Sequence, residues 1–414
     1  MRWLKSRSTQ AAEPALLLEF TFCIRAPSRM PTYPGALVSK LPQVGTTIFT
    51  VMSRLAAEHN AINLSQGFPD FDCAPELQDL VTKYMKAGLN QYPPMAGIPQ
   101  LREAIAEKVR TLYGTSYDPE HEITVTPGAT YGLFTAIATV IRPGDEVIVF
   151  EPAYDSYVPS IEVQGGKAVY VGLKFPDYHI DWNEVRQAIT PKTRMIIINT
   201  PNNPTASVFS AADMQALETI TRKTDIVILS DEVYEHLVFD GAQHQSVARF
   251  PGLAERSFVV SSFGKTYHVT GWKMGYCLAP RALMHEFRKV HQFNVFTCNT
   301  PVQYALAEFM QHPEHYLGLA AFYQRKRDYF RDRLRESRFT LLPSSGTYFQ
   351  SVRYDDITGE KDSDFAMRLT REHGIAAIPL SAFYHNPPDY KVLRFCFAKT
   401  EQTLLKGTEI LRRI

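Results

Sequence analysis

The stretch Ile226-Val227-Ile228-Leu229-Ser230-Asp231-Glu232-Val233-Tyr234 decides the fold. A short apolar run rich in β-branched residues, closed by polar ones, reads as a buried strand whose carboxyl end carries chemistry. Working outward, similar runs stand at 123–126, 146–150, 168–173, 195–199, 257–261 and 275–279. With 226–230 they make seven strands. Helical stretches separate most of them, at 130–141, 154–164, 182–189 and 211–223. Strands that are apolar almost throughout must be covered on both faces, so the pattern predicts an α/β fold with a mainly parallel sheet. Only a loop joins 257–261 to 275–279, so the last strand is expected to run antiparallel.

The texture changes after about residue 300. Helices are expected at 301–310 and 316–337, a strand at 347–352, a helix at 363–373 and a strand at 392–398. Mixed order without strict alternation predicts a second, smaller α+β domain. The expected division is an N-terminal part of the small domain at 30–69, a large domain at 70–300, and the C-terminal part of the small domain at 301–414. Residues 1–29 are expected to be a disordered extension or an over-long start, because Glu19 interrupts the only apolar stretch a signal sequence could use.

Composition excludes several classes. The 414 residues hold 44 Lys and Arg against 43 Asp and Glu, a net charge of +1, so no basic field exists to grip nucleic acid. Five scattered cysteines, at 23, 73, 277, 298 and 396, form no CxxC pair. They read as free thiols of a cytoplasmic protein. No apolar run reaches the ~18 residues of a membrane span. His312 with His315, and Glu232 with His236, lack the further ligand a metal centre requires, so none is expected. Asn63-Leu64-Ser65 is a glycosylation sequon only in form.

In open α/β sheets ligands bind beyond the carboxyl ends of the strands. After 123–126 come Gly128, Ala129 and Thr130, small residues opening a helix, which suits an anion. After 146–150 comes Tyr154, and after 195–199 comes Asn203. After 226–230 come Asp231 and Tyr234, and after 257–261 come Ser262 and Lys265. A helix N-terminus, an aromatic face, an amide, a carboxylate with a phenol, and a lysine suit one flat ligand: a phosphorylated pyridine aldehyde. The lysine holds the aldehyde as a Schiff base. The carboxylate keeps the ring nitrogen protonated, so that the ring can accept electrons. Gly264-Lys265-Thr266 mimics the end of a phosphate loop, but Val259 occupies the glycine position that motif requires. No GxGxxG occurs to support a dinucleotide site.

With these residues the chain resembles the class I, fold-type I pyridoxal-phosphate aminotransferases over residues 38–414. Asn203 and Asp231 lie 28 residues apart, Asp231 and Tyr234 three, and Lys265 and Lys273 eight, with Arg394 in Leu-Arg-Phe-Cys-Phe near the C-terminus. Ser39-Lys40-Leu41-Pro42, the segment 45–50, and Asn63 to Phe71 are similar to bacterial methionine aminotransferases. Kynurenine aminotransferases, also called glutamine transaminase K, are more distant relatives. Lys273 departs from the arginine of aspartate aminotransferases but is shared by these two branches. It neutralises a phosphate as a point charge without a bidentate grip.

The resemblance implies pyridoxal 5′-phosphate as cofactor, bound covalently by Lys265, which also shuttles the substrate proton. It implies Asp231 at the pyridinium nitrogen, Tyr234 and Asn203 at the phenolic oxygen, and Tyr154 stacked on the ring. Ala129, Thr130, Ser262 and Lys273 would hold the phosphate. Tyr92 would reach the phosphate of a neighbouring subunit, which implies a homodimer with shared sites. Arg394 would clamp the substrate carboxylate, with Gly67 beside it, and Phe49, Tyr131 and Phe383 are candidate walls of the side-chain pocket. The implied activity is transfer of an amino group from methionine, or a similar neutral or aromatic amino acid, to a 2-oxo acid. The alternatives are a kynurenine or glutamine aminotransferase with cysteine-conjugate β-lyase activity, and a non-catalytic binding protein on the same fold.

Overall fold

Seven strands form the central sheet of the computed structural model, which describes residues 31–414. The expected extension at 1–29 lies outside the described residues. Residues Lys40–Ile414 form one compact unit. It opens with helix α1 (Ile48–Glu58), strand β1 (Ile62–Asn63), and helices α2 (Pro75–Lys86) and α3 (Pro99–Tyr113). Then follow β2 (Ile123–Thr126), α4 (Ala129–Val140), β3 (Glu146–Glu151), α5 (Tyr157–Val163), β4 (Lys167–Gly172) and α6 (Trp182–Ala188). Next come β5 (Thr193–Asn199), α7 (Ala211–Thr221), β6 (Val227–Asp231), β7 (Ser257–Ser262) and β8 (Gly275–Leu278). All seven expected strands are present, each within two residues at either end. The spatial order is β2-β8-β7-β6-β5-β3-β4. Only β8 runs antiparallel to its neighbours, as the short 257–279 connection implied.

The apolar runs explain the sheet. Side chains alternate across a strand. Ile196, Ile198 and Ile228 enter the core on one face, while Met195, Ile197, Val227 and Leu229 enter the core on the other. Burying each such side chain contributes about 1.5–3 kcal/mol. In β5 and β6 the fully buried interior positions are apolar up to Asn199, Ser230 and Asp231. Polar chemistry is therefore pushed to the carboxyl edge.

Later strands are β9 (Thr340–Leu341), β10 (Phe349–Arg353), β11 (Ile375–Ala376), β12 (Ile378–Pro379) and β13 (Val392–Cys396). A second sheet has the order β12-β13-β10-β9, and β1 pairs with β11. Residues from the two ends of the chain thus meet, and Cys396 N donates to Leu64 O at 2.8 Å. Helix α1 packs on the helix Asp362–His373 and on β11 and β12.

Three boundaries differ from expectation for local reasons. α5 begins at Tyr157 rather than 154, because Ala153 N is held by Phe383 O at 2.9 Å. The expected long helix at 316–337 breaks at Gly318 into Glu314–Leu317 and Leu319–Leu334. β10 starts at Phe349 because Thr347 has a left-handed backbone, φ 62°, with its N–H on Leu237 O.

A buried polar cluster fixes the segment after β6. Glu235 accepts from Lys108 Nζ at 2.7 Å, from Tyr276 OH at 3.0 Å and from Tyr113 OH. Glu232 accepts from Ser230 Oγ at 2.8 Å and Val247 N at 3.1 Å, and pairs with His244 at 2.8 Å. Asp231 and Tyr234 are interleaved with these two anchors, so their directions are set from behind.

Burial alone would raise the Glu235 carboxyl, but the Lys108 ammonium outweighs it and holds the group well below the usual range. An acid lowered in this way contributes stability above its unfolded value, about 4.3, and loses it on acidification. Lys108→Met leaves the anion buried without its cation. It is expected to cost about 3–5 kcal/mol at pH 7, read as a lower urea midpoint. The gap to wild type should narrow below about pH 4.3.

Candidate active site

The carboxyl ends of β5, β6 and β7 lie side by side at the centre of the sheet. The register places Asn199 opposite Asp231, and Asp231 opposite Val260. A cavity of about 190 Å³ opens above them. Ala129, Thr130, Tyr154, Asn203, Asp231, Tyr234, Ser262, Lys265 and Lys273 all line it.

One end of the cavity is built for an anion. Gly128 caps α4 with φ 84°, a left-handed conformation that only glycine adopts freely, leaving the first N–H groups of the helix unpaired within it. Across from it, a Cβ on Gly275 would stand 3.2 Å from Ala129 N, so this glycine keeps that amide accessible. Lys273 adds charge: its Nζ lies 3.6 Å from where a Gly128 side chain would begin. Amides at a helix start and an ammonium together suit a phosphate. Thr130 Oγ1 is 3.4 Å from Tyr154 OH, which ties the helix start to the aromatic ring.

Asp231 is 3% exposed. It accepts from Tyr157 OH at 2.6 Å and Val233 N at 3.3 Å. Burial pushes its carboxyl up to about 6, against those two hydrogen bonds. Lys265, which opens on the same cavity, is shifted the other way. Burial lowers its amine to about 8, and the Arg394 and Lys273 cations add to the effect. Its Nζ donates to Gly67 O at 3.0 Å and to Tyr348 OH at 2.9 Å.

Arg394 enters from β13. It is 1% exposed and has no carboxylate within ion-pair distance among the described residues. It donates to Asn203 Oδ1 at 2.5 Å and Ser65 O at 3.1 Å, while its Nε has no partner. The rings of Phe349, Phe383 and Phe49 lie 3.9, 5.2 and 5.6 Å from the guanidinium. Gly67 is a steric necessity here, since a Cβ would meet Phe349 Cζ at 2.9 Å.

Of the expected residues, Gly67, Arg394, Phe49 and Phe383 stand beside the cavity rather than in its lining, and Tyr131 and Tyr92 lie apart from it. Tyr131 turns away, edge-on to His291 at 5.6 Å, because adjacent helical residues point about 100° apart and Thr130 takes the inward direction. Tyr92 is 83% exposed and packs edge-on against Phe296 at 5.5 Å. Four residues that touch the site's groups escaped sequence reasoning. Tyr157 follows Tyr154 by three residues in a stretch that reads as helical, a spacing that could have revealed it. Asn199, the last residue of β5, donates from Nδ2 to Asp231 O at 3.0 Å and accepts from Asn203 N at 2.8 Å. Tyr348 and Phe349 come from the second sheet, where no strand-end rule points.

The sheet order, with a lysine and a buried carboxylate at neighbouring strand ends, defines the class of α/β proteins that hold a flat, charged cofactor at the carboxyl edge. The chain belongs to the family "Aminotransferase class I and II", whose model matches residues 59–411. It is 51% identical over 377 residues to methionine aminotransferase of Escherichia coli, covering 91% of this chain and 98% of that one. A crystal structure of the E. coli methionine aminotransferase superposes with a TM-score of 0.91 at 50% identity, over 92% of this chain and 100% of that chain. Kynurenine–oxoglutarate transaminase 1 of Rattus norvegicus is 33% identical over 410 residues, covering 90% and 97% of the two chains. The chain is a pyridoxal-phosphate-dependent transaminase.

The donor set fits that cofactor: an anion cradle at one end, a buried carboxylate below, and between them a lysine whose amine is lowered toward neutrality. Without the cofactor, Asp231 is a liability. An acid whose folded value is raised costs nothing below its unfolded value and the full amount above its folded one. The shift from about 3.9 to about 6 corresponds to about 3 kcal/mol. Cofactor-free Asp231→Asn should therefore resist urea better than cofactor-free wild type at pH 8. The advantage should fade between pH 6 and 4, and urea titrations at those pH values check it.

Proposed function

We propose that this transaminase takes the amino group from methionine, or from a similar neutral or aromatic amino acid, and delivers it to a 2-oxo acid. Arg394 carries the assignment. It is a buried cation with no carboxylate within ion-pair distance among the described residues, it has a free Nε, and it lies beside the cavity of Lys265. A substrate carboxylate supplies the missing anion through a bidentate pair. Phe49, Phe349 and Phe383 surround that guanidinium, so the substrate side chain meets aromatic faces. No arginine lines the cavity itself to receive a second carboxylate. The E. coli relative, named for methionine, supports the same substrate class.

The residue roles follow from position. The bound cofactor supplies an electron sink for the bond broken at the substrate α-carbon. Asp231, fixed by Tyr157 and Val233, would present an anion to the ring nitrogen. Asn203 and Tyr234 would hold the ring oxygen, and Tyr154 would stack on the ring. Ala129, Thr130, Ser262 and Lys273 would hold the phosphate. Lys265 Nζ takes the α-proton and returns it. An amine lowered to about 8 suits that work, because a useful fraction is neutral near pH 7. Gly67, which has no side chain, would let the backbone approach the substrate carboxylate.

Tyr92 is exposed beside a groove of Asn90, Thr297 and Thr300, and Phe293 is also exposed, which favours a homodimer in which Tyr92 reaches a partner's phosphate. The pairing of β1 with β11 favours a small domain made from 30–69 and 301–414, with the large domain at 70–300. Four described cysteines are free and buried, and no helix among the described residues is long and apolar enough to cross a membrane. Both favour a cytoplasmic enzyme.

An amino-donor panel, read by the absorbance shift of the bound cofactor, tests the substrate class. Methionine should exceed aspartate in kcat/KM by at least about 10-fold, the scale of one well-used pocket contact. Aspartate as the better donor contradicts the proposal. Arg394→Ala should lower kcat/KM for methionine by about 100-fold or more, the scale of a lost charge-assisted pair. Pyruvate and ammonia released from a cysteine conjugate without any oxo acid would measure the lyase side reaction.

A further inference from the structure

We infer that Tyr348 is a positioning residue for Lys265: its hydroxyl and the Gly67 carbonyl take both N–H bonds of the neutral amine, leaving the lone pair for the reacting carbon. The inference rests on Lys265 being the base of the reaction proposed above.

A neutral primary amine has two N–H bonds and one lone pair. Lys265 Nζ has two acceptors within hydrogen-bond distance among the described residues, Gly67 O at 3.0 Å and Tyr348 OH at 2.9 Å. The same Tyr348 hydroxyl also contacts Gly67 O. A carbonyl cannot donate, so the phenol gives its proton to Gly67 O and its lone pairs are left to accept. The Tyr234 hydroxyl also bonds the Tyr348 oxygen, and with the Tyr348 proton on Gly67 O it is the donor of that pair, leaving the other lone pair for Lys265. The third tetrahedral direction of the nitrogen remains, and Lys265 lines the cavity. An ammonium would carry a third N–H without an acceptor, so the triangle matches the neutral form.

Tyr348 is held as a fixed post. It is fully buried, and its ring packs against Tyr234 at 5.0 Å, Phe349 at 4.9 Å and Tyr323 at 5.8 Å. Its carbonyl accepts from Phe397 N at 2.9 Å. The preceding Thr347 is β-branched yet left-handed at φ 62°, a strained backbone that directs the chain at this point. Burial pushes the Tyr348 phenol well above its ordinary value, so it keeps the proton it donates. The other charged or titratable groups acting on Lys265 are Asp231, Arg394, Lys273 and the Cys396 thiol.

The test uses the full-length holoenzyme in its amine form, in which Lys265 is detached. Trace acetylation across pH, mapped at Lys265 by mass spectrometry, gives the titration midpoint of the amine. Single turnover with α-deuterated methionine gives the proton-transfer rate. Tyr348→Phe removes one acceptor, which favoured the ammonium, so the midpoint should fall. The transfer rate should nevertheless drop about 10-fold, with KM within 2-fold of wild type. An amine that is more often neutral yet slower has lost its aim, which loosened packing alone does not produce. A transfer rate within 2-fold of wild type, or a loss confined to KM and cofactor retention, overturns the inference. If Tyr348→Phe does not fold, a crystal structure of the wild-type amine form decides. Lys265 Nζ within 3.3 Å of the Tyr348 oxygen supports the inference, and a separation beyond 4 Å overturns it. A Lys265→Ala enzyme that still removes the α-deuteron overturns the underlying assignment of the base. An inactive Lys265→Ala beside an unaffected Tyr348→Phe overturns only the role of Tyr348.

Discussion

Asp231 is an anion placed where an anion is costly, and the rest of the site is arranged around that cost. It terminates a strand buried on both faces, and among the described residues its only opening is the cavity above it. Tyr157 and the Val233 amide are the two donors to its carboxylate. They do not cancel the burial, and the carboxyl stays raised. A cation bound against this carboxylate would offset the remainder. The fold thus carries a local instability that such a ligand would relieve, which would link binding to stability.

Arg394 poses the opposite problem on the substrate side. Among the described residues, the buried guanidinium bonds an amide oxygen and a carbonyl and sits among aromatic faces, with the Asp155 carboxylate acting on it from beyond ion-pair distance. It waits for a carboxylate. Between the two unpaired charges stands Lys265, whose amine is lowered by burial and by the neighbouring cations. The site sets a raised carboxyl, a lowered amine and a buried guanidinium close enough to act on one another. Under the proposed function, that arrangement would suit a zwitterionic amino acid.

Legibility in the sequence followed burial. The seven central strands were readable because both faces are apolar, and their polar ends then named Asn203, Asp231, Ser262 and Lys265. The second sheet was less legible. Its strand at 349 is offset by the left-handed Thr347, and no residue-type preference announces a β-branched residue in that conformation. Tyr348 and Phe349 therefore stayed hidden, although both touch groups that the sequence had singled out. Tyr131 lies outside the cavity lining because one residue along a helix rotates a side chain by about 100°, which residue type alone does not reveal. The glutamates flanking Asp231 look like isolated charges in sequence. Only the fold brings Lys108 and His244 to them from distant segments.

The central claim is that Lys265 alone holds the cofactor, above Asp231. Reducing the full-length holoenzyme with borohydride and mapping the modified peptide tests it directly. The account predicts a phosphopyridoxyl group on Lys265 and on no other lysine. A label on Lys273 or elsewhere, with Lys265 unmodified, would contradict it.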